Sequence, residues 1–291
     1  MRKLVEEELN ELTAPGSLLG KNSARATTHI YPPSDLGRIR FHNNLVEDYI
    51  AGLPKSNGDG RAVVITAGPP GAGKSTEIER LGFAKEGWKV IDSDVIKTRL
   101  LQKAYEDRIF EDILKRPLAD GHPIMLNELI ALVHVESTKL ADMVLERCLS
   151  DQEDVVIEGT LSWEGLPQRY LRKLAEYDYR ELTVLDVEVD CETALDQASD
   201  RWWRQRCEAI SGRGHFFGGR FTPRDAITTL YKAGEQISVC NTNSVNMFRS
   251  SQSSHLETFR LLIRDRTNGS VYTEEYISHY GEIEGGVPEP L

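Results

Sequence analysis

Apolar and polar positions along this chain follow two rhythms. Short runs rich in β-branched residues, such as Ala62-Val63-Val64-Ile65, Lys89-Val90-Ile91 and Val155-Val156-Ile157, are separated by longer stretches with helical spacing. The pattern predicts strands at 62–67, 88–92, 154–158 and 181–189. Helices are predicted from about 74, from about 94, through 124–150, at 164–177 and from about 191. Strands alternating with helices in this way predict an α/β fold, a parallel sheet with helices on both faces. No internal repeat interrupts the alternation.

The two ends read differently from this middle. An amphipathic helix is predicted near 36–53, after Tyr31-Pro32-Pro33-Ser34-Asp35 breaks the chain and supplies a cap, and residues 54–60 read as a flexible linker. Past the Gly-rich stretch 211–221, Thr222-Pro223 predicts a helix start with Thr as cap and Pro in the first turn. The stretch from about 267 to 291 is acidic, holds several Gly and Pro, and reads as a tail or peripheral packing segment. The expected organisation is therefore an N-terminal helical extension (1–60), a central domain (61–265) and an acidic tail (266–291).

The turn after the first strand carries the chemistry. Gly68-Pro69-Pro70-Gly71-Ala72-Gly73-Lys74-Ser75, with Thr76 following, spells a complete phosphate-binding loop between a strand and a helix. Its glycines permit the tight turn that points backbone N–H groups at a triphosphate. Lys74 would bridge the β- and γ-phosphates and Ser75 would hold Mg²⁺. The expected fold class is thus a P-loop NTPase binding a nucleotide with Mg²⁺; the loop alone does not distinguish a kinase from a switch or a motor.

Composition narrows the setting. A length of 291 residues with 40% hydrophobic content supports a sizeable core, and the formal net charge of −11 opposes attraction to a polyanionic nucleic acid. A small-molecule acceptor is expected instead. Cys148, Cys191, Cys207 and Cys240 fall in no metal-binding or CxxC spacing and read as free thiols. Glu6-Glu7-Glu8 interrupts any signal-peptide core after Met1, and no apolar run reaches membrane-spanning length, so a cytoplasmic location is expected.

Ligands in open α/β sheets bind beyond the carboxyl ends of the strands, and two acidic groups occupy such ends. One strand runs into Asp92-Ser93-Asp94 and another into Glu158-Gly159-Thr160. Transfer of a phosphoryl group to a hydroxyl needs a proton acceptor, and Asp94 is the candidate base; capping of the following helix is its bland alternative. Asp92 would orient the loop or a metal-bound water. Glu158 resembles a carboxylate that touches the Mg²⁺ shell or the acceptor. The transition state also needs cations besides Lys74, for which Arg201 and Arg220 are candidates. Arg201, Arg204 and Arg206 read otherwise as a solvated basic face around a buried Trp202 or Trp203. Arg213 and Arg220 sit in a Gly-rich loop able to close as a lid. His122, His134 and His215 have no metal-ligand spacing, and the polar face of residues 134–139 could border an acceptor pocket.

These landmarks together resemble the zeta-toxin family of P-loop kinases. The resemblance rests on Gly68 through Ser75, then Ile91-Asp92-Ser93-Asp94, Leu149-Ser150-Asp151-Gln152, Val156-Ile157-Glu158-Gly159-Thr160, Asp200-Arg201-Trp202, and Arg220-Phe221-Thr222-Pro223, in the family's order. It covers roughly residues 61–235. It implies an ATP- and Mg²⁺-dependent kinase acting on a hydroxyl of a small activated metabolite, either the 3′-hydroxyl of UDP-N-acetylglucosamine or, as in some plant-pathogen effectors, NAD. Asp94 matches the family's general base, Lys74 and Ser75 its phosphate and metal positions. Asp92, Glu158 and Thr160 fall at the acceptor side, and Arg201 and Arg220 match arginines on the ATP phosphates. The family often carries an Arg two residues after that Thr; here the place is Ser162. A toxin-type kinase also implies an antitoxin partner, a role residues 1–60 could imitate by covering the site. Two other readings stand beside it: a nucleotide-dependent regulatory ATPase without a small acceptor, and a polynucleotide kinase using Trp202 and Trp203 as a stacking platform.

Overall fold

The computed structural model describes residues 1–54, 60–83, 87–250, 255–267 and 269–291. Most of the expected linker, residues 55–59, lies outside the described residues. In chain order the elements are α1 (Arg2–Thr13), α2 (Thr27–Ile30), α3 (Leu36–Ala51), β1 (Ala62–Ala67), α4 (Lys74–Leu81), β2 (Lys89–Asp92), α5 (Ser93–Glu106) and α6 (Glu111–Leu114). A 3₁₀ helix (Leu126–Val133) precedes α7 (His134–Ser150), β3 (Val155–Glu158), α8 (Leu166–Glu176), β4 (Glu181–Glu188) and α9 (Cys191–Ile210). The chain ends with α10 (Asp225–Thr228), α11 (Val239–Arg249), β5 (Thr258–Asp265), β6 (Tyr272–His279) and β7 (Glu282–Glu284).

The chain divides into two compact units whose boundaries do not coincide with the breaks expected at 60 and 265. The sheet unit comprises Ile50–Asp92, Val144–Leu195 and Ile227–Leu291. Its seven strands run in the order β2-β3-β1-β4-β5-β6-β7. The first five are parallel, and β6 and β7 are antiparallel additions. Strands β1 and β4 are buried almost end to end, which is why their sequences read as continuous apolar runs. Helix α4 packs on β4, and α11 packs on β1, β4, β5 and α8.

Register places the chemistry. Asp92 pairs with Glu158, so the acidic ends of β2 and β3 are neighbours beside β1. The chain leaves β1 for β2 but inserts β3 between them, which makes the end of β1 the crevice where such sheets bind ligands.

The C-terminal stretch departs from expectation. Residues read as an acidic tail form β6 and β7, joined by Tyr280-Gly281 with φ of 50° and 82°. Two successive positive φ values make a two-residue hairpin turn, and the alternation Tyr272, Glu274, Tyr276 against Thr273, Glu275, Ile277 suits a strand next to the sheet edge despite its charge. The helix expected from Thr222-Pro223 is the single turn α10, which starts at Asp225. Pro223 lies before it, its carbonyl accepting from Ala226 N–H at 3.0 Å in a turn.

The helical unit comprises Met1–Tyr49, Ser93–Met143 and Asp196–Ala226. The first forty-nine residues are built into it: Val5 and Leu9 of α1 are fully buried. Arg25 ion-pairs with Asp112 at 2.6 Å. Arg38 forms a fork with Glu136, Nε to Oε1 and Nη2 to Oε2 both at 2.7 Å, with His42 against Oε1 at 2.5 Å. The Arg38 guanidinium also lies over the rings of Tyr31 and Phe41. Glu136 therefore does not border an open pocket, as the polar face of 134–139 suggested; it is consumed by Arg38.

Arg206 is a second correction. Read as part of a solvated basic face, it is fully buried, bonded to both oxygens of Glu128 at 2.9 Å and to Asp120 at 2.9 Å. Trp202 is buried as well, its indole N–H donating to Glu128 at 2.9 Å, so it offers no stacking platform for nucleic-acid bases.

Candidate functional site

In the sheet unit the phosphate loop is formed as its residue types dictate. Gly68, Gly71 and Gly73 adopt φ of 117°, 90° and 87°, conformations that strain any other residue. At Gly68 and Gly71 a side chain would also collide with the backbone of Val187 and Ala194, so the loop is pressed against the end of β4 and the start of α9. Lys74 opens α4 and folds its ammonium back over the loop, donating to the carbonyls of Gly68 at 2.9 Å and Pro69 at 2.8 Å. Pro70 and Ala72 complete the turn, and Ser75 and Thr76 stand exposed in the first turn of α4. The N-terminal amides of that turn carry the partial positive charge that favours an anion.

The neighbouring strand end is tied to the loop. Ser75 Oγ donates to Glu158 Oε2 at 2.9 Å. Thr66 exchanges bonds of 2.9 Å with both backbone groups of Gly159, and Gly68 N–H donates to Thr160 O at 3.1 Å. Thr160 Oγ1 donates to Ser162 Oγ at 2.9 Å, while Leu161 is held at φ 53° with its carbonyl accepting from Asn243. A backbone fixed this way keeps Glu158 next to Ser75. The arrangement of a hydroxyl, a carboxylate and a second carboxylate, Asp92, one strand away suits Mg²⁺, a hard cation that takes one or two carboxylates and completes its shell with phosphate and water. Among the described residues no group of three or more His, Cys, Asp or Glu side chains is arranged as a complete metal cage.

In the helical unit Asp94 sits in the first turn of α5 within a cluster of cations. Its Oδ1 accepts from Lys97 at 2.9 Å and its Oδ2 faces Arg220 at 3.0 Å. Partial burial alone would raise its pKa, but Lys97, Arg220 and Arg201 outweigh burial and hold the carboxyl below its ordinary value. His134 is nearby in the electrostatic sense: burial, then Lys97 and Lys21, push its pKa down to about 4, so it is neutral at physiological pH. Asp94, Arg201 and Arg220 are thus brought together, three residues that sequence spacing alone leaves far apart. The loop with Phe216 and Phe217 packs against Tyr105 on α5, with the rings edge-on and tilted and their centroids 6.1 and 6.3 Å away.

Sequence reasoning missed a buried polar network next to the loop. Asp186 and Glu188 alternate along β4 and so share one face. Asp186 accepts from Asn241 at 2.8 Å and Ser244 at 2.7 Å; Glu188 accepts from the backbone and hydroxyl of Ser238 at 2.9 and 2.8 Å. Burial, then their mutual repulsion in the case of Glu188, pushes both carboxyls upward. The signal was two acids within an otherwise apolar strand. Arg266 was missed too, because β5 was not assigned; its guanidinium donates to Ala72 O at 3.1 Å.

A family model for the AAA domain matches residues 63–208, half of the chain. The chain belongs to the AAA domain family. In this AAA domain the match begins inside β1 and runs through the phosphate loop, Asp94, Glu158 and Arg201. The Arabidopsis thaliana calmodulin calcium-dependent NAD kinase is 30% identical over 122 residues, which take in 40% of this chain and 22% of that relative. Among solved structures, one from the PezAT chromosomal toxin–antitoxin system of Streptococcus pneumoniae superposes with a TM-score of 0.52 at 16% identity, covering 84% of this chain and 83% of its own. The AvrRxo1-ORF1:AvrRxo1-ORF2 structure with ATP superposes at 0.51 and 16% identity, covering 89% and 78%. At such identity the likeness is one of fold, and it is the kinase-type P-loop fold that the zeta-toxin resemblance implies. No helix among the described residues of the AAA domain is long and apolar enough to cross a membrane.

Proposed function

We propose that this protein is an ATP- and Mg²⁺-dependent small-molecule kinase that phosphorylates a hydroxyl of a nucleotide-bearing metabolite. The observation that carries the reading is Asp94, an ionised carboxylate set among Lys97, Arg201 and Arg220 on a chain that also forms a complete phosphate loop. The loop amides and Lys74 would hold the β- and γ-phosphates, and Ser75 with Glu158 would hold Mg²⁺, whose charge offsets that on the phosphate oxygens. Asp94 would accept the hydroxyl proton as the acceptor oxygen bonds to the γ-phosphorus and the bond to the ADP oxygen breaks. Arg201 and Arg220 would balance the charge on the transferring group. Asp92, Glu158 and Thr160 would line the acceptor side.

Of the two acceptors the family resemblance implies, NAD is favoured over UDP-N-acetylglucosamine. The NAD kinase relative supports it, and so does Ser162, where many zeta toxins carry an arginine for the acceptor diphosphate. An antitoxin-like partner protein fits the same reading, since one structural neighbour comes from a toxin–antitoxin system and the other pairs AvrRxo1-ORF1 with AvrRxo1-ORF2. The test is mass spectrometry of reactions holding ATP, Mg²⁺ and either NAD or UDP-N-acetylglucosamine. One added phosphate on NAD supports the proposal; ATP hydrolysis with both acceptors untouched replaces it with the regulatory-ATPase reading.

A further inference from the structure

Arg266 is the first residue beyond the carboxyl end of β5, on the sheet edge where open α/β folds bind ligands. Its backbone N–H donates to Glu188 O at 2.9 Å, carrying the β4–β5 ladder one residue further. The turn behind it is fixed by Asp265 Oδ1, which accepts from the backbone and hydroxyl of Thr267 at 2.9 and 2.7 Å. From this anchored position the side chain reaches the phosphate loop. Its Nη1 donates to Ala72 O and stands 3.1 Å from where a Cβ on Gly73 would be. Arg264, two residues earlier, is engaged elsewhere and ion-pairs with Glu77 of α4 at 3.2 Å.

In a trans peptide the C=O and the next N–H point opposite ways, so Arg266 Nη1, bonded to Ala72 O, is turned away from the Gly73 N–H that would face a phosphate. The nucleoside must leave the loop along one flank of β1. On the β3–β2 flank stand Ser75, Glu158 and Asp92, the metal and acceptor groups. The β4–β5 flank is left for the nucleoside, and on that flank Arg266 touches the loop.

We propose that Arg266 positions the nucleoside end of the bound nucleotide, its planar guanidinium, braced on Ala72 O, serving as the surface on which the purine stacks. This rests on the reading that the loop binds ATP. A guanidinium suits this role because it stacks on flat rings while keeping its in-plane donors engaged, which an ammonium cannot do.

The experiment is calorimetric titration of the full chain, with Mg²⁺, by ATP and by inorganic tripolyphosphate, for wild type, Arg266→Ala and Arg266→Lys. Stacking of one base is worth about tenfold to a hundredfold in affinity. Arg266→Ala should lose that factor for ATP and keep the wild-type affinity for tripolyphosphate. Arg266→Lys, which retains charge and a donor for Ala72 O, should show the same selective loss even if the alanine variant folds poorly. Equal weakening of both ligands would reduce Arg266 to a brace for the loop and overturn the proposal, as would unchanged ATP affinity. Wild type binding neither ligand would instead overturn the nucleotide-site reading on which it rests.

Discussion

Replacing Gly71 by alanine tests the phosphate loop where its backbone has least room. Gly71 holds φ at 90°, which costs a non-glycine residue about 1–2 kcal/mol. The new Cβ would fall far inside contact distance of Ala194 O and 3.2 Å from that carbonyl's carbon. Restoring an ordinary C···O separation of about 3.3–3.6 Å requires the loop or the start of α9 to shift by about 1 Å. A hydrogen bond of about 2.9 Å stretched by that much is no longer one, and each charge-assisted bond lost is worth about 1.5–3 kcal/mol. Loss of two loop-to-phosphate bonds should therefore weaken ATP binding by about a hundredfold or more, read by calorimetry, while thermal unfolding still shows one cooperative transition. Gly82→Ala is the control: Gly82 has φ 69° at the end of α4 but nothing within 4 Å of an added Cβ, so it should lose about 1 kcal/mol of stability and no affinity. Wild-type affinity in Gly71→Ala, or equal losses in both variants, would refute the reasoning.

Two predictions concern pH. Burial raises the pKa of Glu136, but His42 and Arg38 outweigh it and hold the carboxyl at about 2 instead of 4.5, which is roughly 3 kcal/mol of linked stability. A depressed carboxyl contributes above its unfolded pKa, so the urea-stability gap between wild type and Glu136→Gln should be full at pH 7. It should narrow below about pH 4.5; a gap constant down to pH 3.5 contradicts the ion-pair account. Glu188 has the opposite sign: burial and Asp186 raise it to about 9, so its stabilising contribution is full below about 4.5 and lost as pH rises toward 9. Glu188→Gln, which cannot ionise, should gain stability relative to wild type between pH 6 and 9 in denaturant titrations, and a relative loss over that range would show the pair is not repulsive.

What the sequence made legible was local. The strands β1, β2 and β3 could be read from their Val and Ile runs, and the loop after β1 from its spacing, because both signals lie within ten residues. The acids at strand ends followed from those strands. Burial of charge was not legible, since it depends on distant partners: Arg206 needs Glu128 and Asp120, and Arg38 needs Glu136, each about eighty to a hundred residues away. β5 and β6 were masked by Arg260, Arg264, Glu274 and Glu275, charges that edge and near-edge strands tolerate. Arg266 went unnoticed because its meaning depends on β5 lying beside β4, a matter of topology.

The central claim is that Asp94 serves a phosphoryl transfer that the phosphate loop supplies. The most direct measurement is the rate of γ-phosphate transfer from ATP to NAD by wild type and Asp94→Asn, with ATP affinity determined for both. The account predicts a fall in rate of about 10²–10⁴-fold with ATP affinity little changed. Transfer by Asp94→Asn at the wild-type rate would contradict it.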